Sequence, residues 1–238
     1  MRSNGIPIFG QLVAPGSSLG GARPKANFVA PDGSLWIAKF PAVTDRRDAA
    51  AWEQVYAQLA RNAGITVPET GLLTVAGPAR TFTTRRFDRD PDGRRLYASA
   101  LTLTGRDDTV GADYLDIAMA IRMHASPERV AGDLAQLFRR MTFNVLASNR
   151  DDHLRNHGFL RARDGWSLAP AFDLNPAREM REHATAVGGR SCALTASDVL
   201  AMHVAFGLTR EAAGADPGGG RGHRRLGRPG TSDRHRFR

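Results

Sequence analysis

The sequence has one cysteine, Cys192, among 238 residues. That excludes an intrachain disulfide framework and a cysteine-based zinc site, and it suits a cytoplasmic protein. It has no run of about 18 apolar residues, so no membrane-spanning helix is expected. The opening MRSNGIPIFGQLVAPGSS carries no sustained apolar stretch, so a secretory leader is not expected either. No internal repeat with a period of about 20–50 residues is found.

The composition itself is ordinary for a soluble globular chain, 42% apolar and 24% charged. A net charge of +9 would point to a nucleic-acid or membrane partner were it concentrated on one surface. Residues 211–238 hold seven arginines against Glu211, Asp216 and Asp233, so they supply +4 of it. The first 210 residues are therefore only mildly basic. From residue 214 the chain is rich in Arg, Gly, Asp and His, has no lysine, and loses apolar periodicity. The expectation is a tail read in a shifted frame from a GC-rich gene. The competing reading is a disordered Arg/Gly arm that binds nucleic acid.

The richest stretch runs from Phe143 to Pro176, FNVLASNRDDHLRNHGFLRARDGWSLAPAFDLNP. An apolar helix end enters a polar loop holding Asp151, Asp152, His153 and Asn156. An apolar segment at His157 to Leu160 follows, then a turn at Asp164–Gly165, a second segment from Trp166 to Leu168, and Asp173. Phosphoryl transfer by a kinase needs an acid to orient the attacking hydroxyl, and an Asn and a second Asp to hold magnesium. The order D-x-x-x-x-N, hairpin, Asp is that of protein kinases. Asp151 and Asn156 have this five-residue step, and Asp173 lies 17 residues further on. Taken singly, Asp151 and Asp152 are good turn formers, and His153 and His157 would be a metal pair only on a continued helix. The ordered set outweighs these separate readings.

Upstream, GQLVAPGSSLGGARPKANF (residues 10–28) is a Gly/Ser-rich loop. Its glycines allow close backbone approach, and Ser17, Ser18 and the backbone N–H groups could cradle phosphates, with Arg23 and Lys25 adding charge. A hairpin follows: strands Lys25 to Ala30 and Ser34 to Phe40 about a Pro31–Asp32–Gly33 turn. Lys39 ends it, where a kinase-like lobe keeps the cation for the α- and β-phosphates. Lysines on strand edges also guard against aggregation. Trp52, Val55, Tyr56 and Leu59 mark a helix from Asp48 to Asn62, closed by Gly64. Its Glu53 is either the partner of Lys39 or an exposed acid near the helix start. Strands at Thr66 to Val75 and Arg80 to Phe87 complete a five-strand, one-helix lobe by about residue 98. Helices then follow at Ala112 to His124 and Pro127 to Leu146, and a helix pair in SDVLAMHVAFGLTREAAG. Strand-rich first and helix-rich second is the α+β order of two lobes: residues 1–98 small and β-rich, 99–213 helical, 214–238 tail.

Five ordered motifs, SSLGGARPK, WIAKFP, RFDR, FNVLASNRDDHLRNHGFL and LAPAFDLNP, resemble the HipA-type serine/threonine kinases, the toxin components of bacterial toxin–antitoxin pairs. The resemblance covers about residues 8 to 213. It implies a two-lobed kinase-like fold using ATP and magnesium and a helix-turn-helix antitoxin partner that brings DNA association indirectly. It also implies a protein substrate, an aminoacyl-tRNA ligase in the best-known member. Carried over by position, Asp151 resembles the catalytic base, His153 the loop histidine that scaffolds it, and Asn156 and Asp173 the metal ligands. Lys39 resembles the nucleotide lysine. Ser17, Ser18, Leu19, Gly20 and Gly21 resemble the phosphate loop, with Ser18 as its autophosphorylated serine. Phe87 and Asp88 lie where adenine would bind. The sequence departs from the family at Arg85 and Arg86, where relatives commonly carry an acidic residue. It also lacks the usual N-terminal subdomain, which implies a separate small protein as a further partner. The alternative reading is a truncated kinase-like relic that only binds its antitoxin. A small-molecule kinase is disfavoured, because Asp151 precedes His153 and reverses the usual H-x-D order.

Overall fold

The computed structural model describes residues 12–13, 23–45, 47–75, 79–90 and 93–214. In chain order the strands are β1 (Leu12–Val13), β2 (Lys25–Val29), β3 (Leu35–Lys39), β4 (Thr70–Thr74), β5 (Arg80–Arg85), β6 (Arg89–Asp90), β7 (Gly93–Arg94), β8 (Tyr97–Ser99), β9 (Gly158–Arg161) and β10 (Trp166–Leu168). The helices are α1 (Ala49–Asn62), α2 (Ala100–Leu103), α3 (Tyr114–His124), α4 (Pro127–Ala147), α5 (Ala196–Ala201) and α6 (Arg210–Gly214).

The first lobe is a five-stranded antiparallel sheet in the order β1-β2-β3-β5-β4. The β2–β3 hairpin turns at Gly33, whose φ of 81° favours glycine. Its register sets Lys25 opposite Lys39 and Asn27 opposite Ile37. Across β3 and β5, Lys39 faces Phe82 and Ile37 faces Thr84, and Thr84 in turn faces Thr70 on β4. Because side chains alternate with a period of two, these rows share one face of the sheet.

Helix α1 packs on β4 and β5. Asp48 caps it by accepting from the Ala51 N–H. At its other end Ile65 N–H reaches Ala60 C=O and Gly64 N–H reaches Arg61 C=O, a Schellman closure with Gly64 at φ 71°. The buried face of α1 differs from the stripe read in the sequence. Tyr56 is buried, but Trp52, Val55 and Leu59 are exposed, and Ala49, Ala50, Glu53, Ala57 and Ala60 face inward. Small side chains let the helix lie close to the sheet, and the phase is fixed by turning Glu53 toward Lys39.

The second lobe is built on α3 and α4. Asp113 and Asp116 form a reciprocal capping box at the start of α3. Leu134, Leu137, Phe138, Met141 and Val145 of α4 pack with Tyr114, Ile117 and Ile121 of α3 in one buried cluster, the face its periodicity predicts. The small sheet β10-β9-β8 lies beside them, with α5 and α6 following. Gln136 ties the lobes together, donating to Gly64 C=O and accepting from Thr66 N–H at 2.9 and 3.0 Å. Among the described residues no helix is long and apolar enough to cross a membrane.

Candidate active site

A cleft of about 510 Å³ opens between the lobes, within the ordinary range for ligand pockets. Its sheet wall carries Lys25, Ile37, Lys39, Phe82 and Thr84. Its opposite wall carries His153, Asn156, Phe172 and Asp173. Of the 33 lysines and arginines in the chain, only residues 25 and 39 are lysine, and both line this cleft.

Lys39 forms the floor. Its Nζ donates to Glu53 of α1 and, at 2.7 Å, to Asp173, 134 residues away. Burial disfavours the ammonium, but the two carboxylates outweigh it and hold the Lys39 pKa above its ordinary value. Burial raises Glu53, with Lys39 opposing. Asp173 is also pushed up by burial, yet the Lys39 charge and hydrogen bond bring it below the usual carboxylate value. Asp173 occupies the left-handed region at φ 58°, a conformation Asp tolerates better than most residues. Its side chain is 41% exposed to the cleft, so one carboxylate oxygen can serve Lys39 while the other meets a ligand.

The loop between α4 and β9 supplies the other candidates. The helix ends at Ser148, itself at φ 57°, and the chain turns through a 3₁₀ turn at Leu154–Asn156. Asn156 Nδ2 donates to Asp151 C=O at 3.0 Å, which leaves the amide oxygen as its outward group. Asp151 is exposed and does not itself line the cleft; its backbone carbonyl is tied to Asn156, which does. His153 lines the cleft, its Nδ1 buried and without a hydrogen bond among the described residues. His157 does not pair with His153: it is buried and its Nε2 lies 2.9 Å from the Asp152 carboxylate.

A buried polar network stands behind the loop. The Asp152 carboxylate accepts from Tyr114 Oη, which accepts from Asn144 Nδ2 at 2.9 Å, while Asn149 donates to Asn144 at 3.0 Å. Thr185 Oγ1 donates to Asp152 C=O. The sequence reading missed this set. Asp152 looked like a turn former, and nothing local marks Tyr114, 38 residues upstream, as its partner. Burial alone would raise the Asp152 carboxyl, but His157 and Tyr114 outweigh it and hold it below the ordinary value. A depressed carboxylate stabilises the fold above its unfolded pKa and ceases to do so as pH falls through the folded value. Asp152→Asn is therefore expected to cost about 1–3 kcal/mol near neutral pH, with the gap to the parent closing below pH about 4. Urea midpoints at pH 7 and pH 3.5 check this; an equal gap at both would refute it.

At the outer end, Phe87 stacks obliquely on Tyr97 and Phe172, centroids 6.3 and 5.7 Å apart. The Asp88 carboxylate is taken up by arginines. Arg86 grips it with Nε and Nη2 at 2.8 and 2.6 Å, and Arg89 adds a contact at 2.6 Å. Burial raises the Asp88 pKa, and these arginines bring it below the ordinary value. Arg86 also donates to Asn27 at 3.0 Å, crossing the cleft face of β3. The departure at Arg86 thus builds a fixed rim in place of a free acidic contact. Ser17, Ser18, Leu19, Gly20 and Gly21 lie outside the described residues.

Magnesium is bound through one or two carboxylates together with substrate phosphates and water rather than by an all-protein cage. The Asp173 carboxylate and the Asn156 amide oxygen fit that demand. Among the described residues no group of three or more His, Cys, Asp or Glu side chains is placed to hold a metal.

Residues 17–215 match the family model described as the HipA-like C-terminal domain. A Haemophilus influenzae protein described as "Putative kinase" is 29% identical over 136 residues, covering 51% of this chain and 39% of its own. HipA of Shewanella oneidensis MR-1, solved in complex with HipB and its operator DNA, aligns with a TM-score of 0.67 at 18% identity, over 84% of this chain and 55% of that one. The Helicobacter pylori proinflammatory kinase CtkA aligns with a TM-score of 0.61 at 19% identity, over 83% and 80%. These likenesses establish a mixed α/β fold of the two-lobed kinase kind. The chain spans 39% of the curated relative and 55% of the Shewanella HipA chain.

Proposed function

Because the chain belongs to the HipA-like C-terminal domain family, we propose that it is an ATP- and magnesium-dependent serine/threonine kinase acting in the interlobe cleft. The observation that carries this reading is the bridge from Lys39 to both Glu53 and Asp173. Lys39, Glu53 and Asp173 meet there, with Asn156 on the wall that carries Asp173, and this supports reading Lys39 as the phosphate-binding cation and Asp173 as a metal ligand. Residues 1–98 are the nucleotide lobe and 99–213 the catalytic lobe, with 214–238 a separate tail.

In this mechanism Phe87 and the Arg86–Asp88 rim receive the base end, and Lys39 with the Ser17–Gly21 loop holds the phosphates. Asn156 and Asp173 hold magnesium, which neutralises charge on the triphosphate when bound. Asp151 orients the acceptor hydroxyl and takes its proton late. The Asp152 network and His153 fix the loop that carries Asp151. Positioning and fixed electrostatics supply most of the acceleration.

The acceptor is a protein serine or threonine, an aminoacyl-tRNA ligase being the candidate target, and Ser18 is the proposed site of self-modification. A phosphate there adds roughly −1.5 to −2 charge. The Shewanella HipA complex with HipB and operator DNA supports a DNA-binding antitoxin as partner. Incubation of the full chain with γ-labelled ATP and magnesium, followed by phosphopeptide mapping, tests the reading. Label on Ser18 or Ser17 is expected; a folded chain that neither binds ATP nor takes label would overturn it.

A further inference from the structure

Arg140 is a buried cation that touches neither nucleotide nor acceptor in this mechanism. It lies on the inner face of α4, 3% exposed, one turn before Asn144 of the network behind the loop. A guanidinium carries five N–H donors in a rigid fork, and burying its charge is costly unless something compensates it. Nη2 donates to the Ala169 C=O. Nε and Nη1 are buried and take no hydrogen bond among the described residues, so the remaining compensation comes from nearby charge. Burial lowers the Arg140 pKa to about 10, with Asp152 and then Asp133 opposing the fall. The group therefore stays charged at neutral pH.

The groups it addresses belong to the two sides of the site. Asp152 follows Asp151 directly in the loop after α4, and Ala169 opens the run Ala169–Pro170–Ala171–Phe172 that leads to Asp173. That run is tied at successive backbone groups. Leu168 N–H donates to Asp133 at 2.9 Å, and Ala169 N–H and Ala171 N–H donate to Gly158 C=O and Thr66 C=O, both at 2.8 Å. Pro170 has no N–H to give. Asp133 and Arg140 stand two helical turns apart, so they share a face of α4. Between them they take the donor of Leu168 and the acceptor of Ala169. One face of α4 thus grips the chain ahead of Asp173 and, one turn on, carries the Asp152 network.

Building on the reading of this cleft as a kinase site, we propose that Arg140 is a positioning residue, which holds the Asp173 segment at a fixed spacing from the loop that carries Asp151. Its hydrogen bond fixes the first at Ala169, and its charge faces the second at Asp152. In-line transfer needs the acceptor hydroxyl and the metal-bound phosphate in one geometry, and these are assigned to the two segments that Arg140 joins.

Arg140→Met removes the charge and the hydrogen bond at similar length, and Arg140→Lys keeps the charge without the fork. The full chain and its variants are compared at a temperature where all are folded, by single-turnover transfer from ATP with magnesium and by equilibrium ATP binding without it. Arg140→Met is expected to slow transfer by about 10²-fold, the cost of a misplacement near 1 Å. ATP affinity should stay close to the parent's, because Lys39 is untouched, and Arg140→Lys should recover part of the rate. Val199→Ala, which opens a cavity at α5, is the reference for plain destabilisation and should transfer at the parent's rate. If Arg140→Met does not fold, Arg140→Lys carries the test: a slower rate at unchanged affinity supports the proposal, and a parental rate overturns it. A folded Arg140→Met with the parent's rate would also overturn it, as would a loss matched by Val199→Ala, and either leaves the kinase reading standing. A folded parent chain that neither binds ATP nor transfers phosphate would overturn both.

Discussion

Asp151→Asn is expected to lower phosphoryl transfer by about 10²–10⁴-fold, the usual contribution of a positioned acid or base. The substitution keeps the size of the side chain and removes its charge. Asp151 is exposed, and its carbonyl accepts from Asn156, so the backbone geometry of the loop has no reason to change. Nucleotide affinity should fall far less than turnover, because Lys39 and Asp173 line the cleft and Asp151 does not. Single-turnover labelling with γ-labelled ATP, set beside equilibrium ATP binding, separates the two effects. A parallel loss of affinity and rate would reassign Asp151 to ligand binding. An unaltered rate would remove it from the chemistry, and a parent chain that binds ATP without transferring phosphate would favour the reading in which the chain only binds its partner.

The loop holding Asp151 was legible because its signals are local. A five-residue step and a hairpin are properties of contiguous sequence, and β10 falls on Trp166–Leu168, the second segment expected after the Asp164–Gly165 turn. The same holds for the β2–β3 hairpin and for α4. What escaped the reading depends on partners far away in the chain. The phase of α1 follows from a contact between Lys39 and Glu53, so periodicity alone chose Trp52, Val55 and Leu59, which are exposed. Tyr114 and Asp152 meet only once α3 lies against α4.

The second large effect falls on stability. Lys39→Met is expected to destabilise the fold by about 3–5 kcal/mol, because it strands the Glu53 carboxylate in a buried setting. The side chains of Lys39 and Glu53 are only 10% and 8% exposed, so water cannot replace the lost partner. Asp173 loses the same cation but is half-open to solvent, and its share of the cost is small. A chain of this size should then melt about 10 °C lower. Adding Glu53→Met removes the stranded charge, and the double variant should recover most of the loss while remaining inactive, since paired buried ions can be replaced by apolar groups at little cost. The pH dependence gives an independent check. Burial already raises Glu53, and without Lys39 only the weaker, last-ranked charge of Arg23 opposes that rise, while Asp173 adds to it. Protonation then relieves the stranded charge, so the deficit of Lys39→Met should be full at neutral pH and shrink as pH falls toward 5. Denaturant midpoints for the parent, both single variants and the pair, at pH 7.5 and pH 5, measure the coupling directly. Equal losses in Lys39→Met and the double variant, with no pH dependence, would mean that Lys39 serves the nucleotide alone and that α1 is held against the sheet by its alanine face.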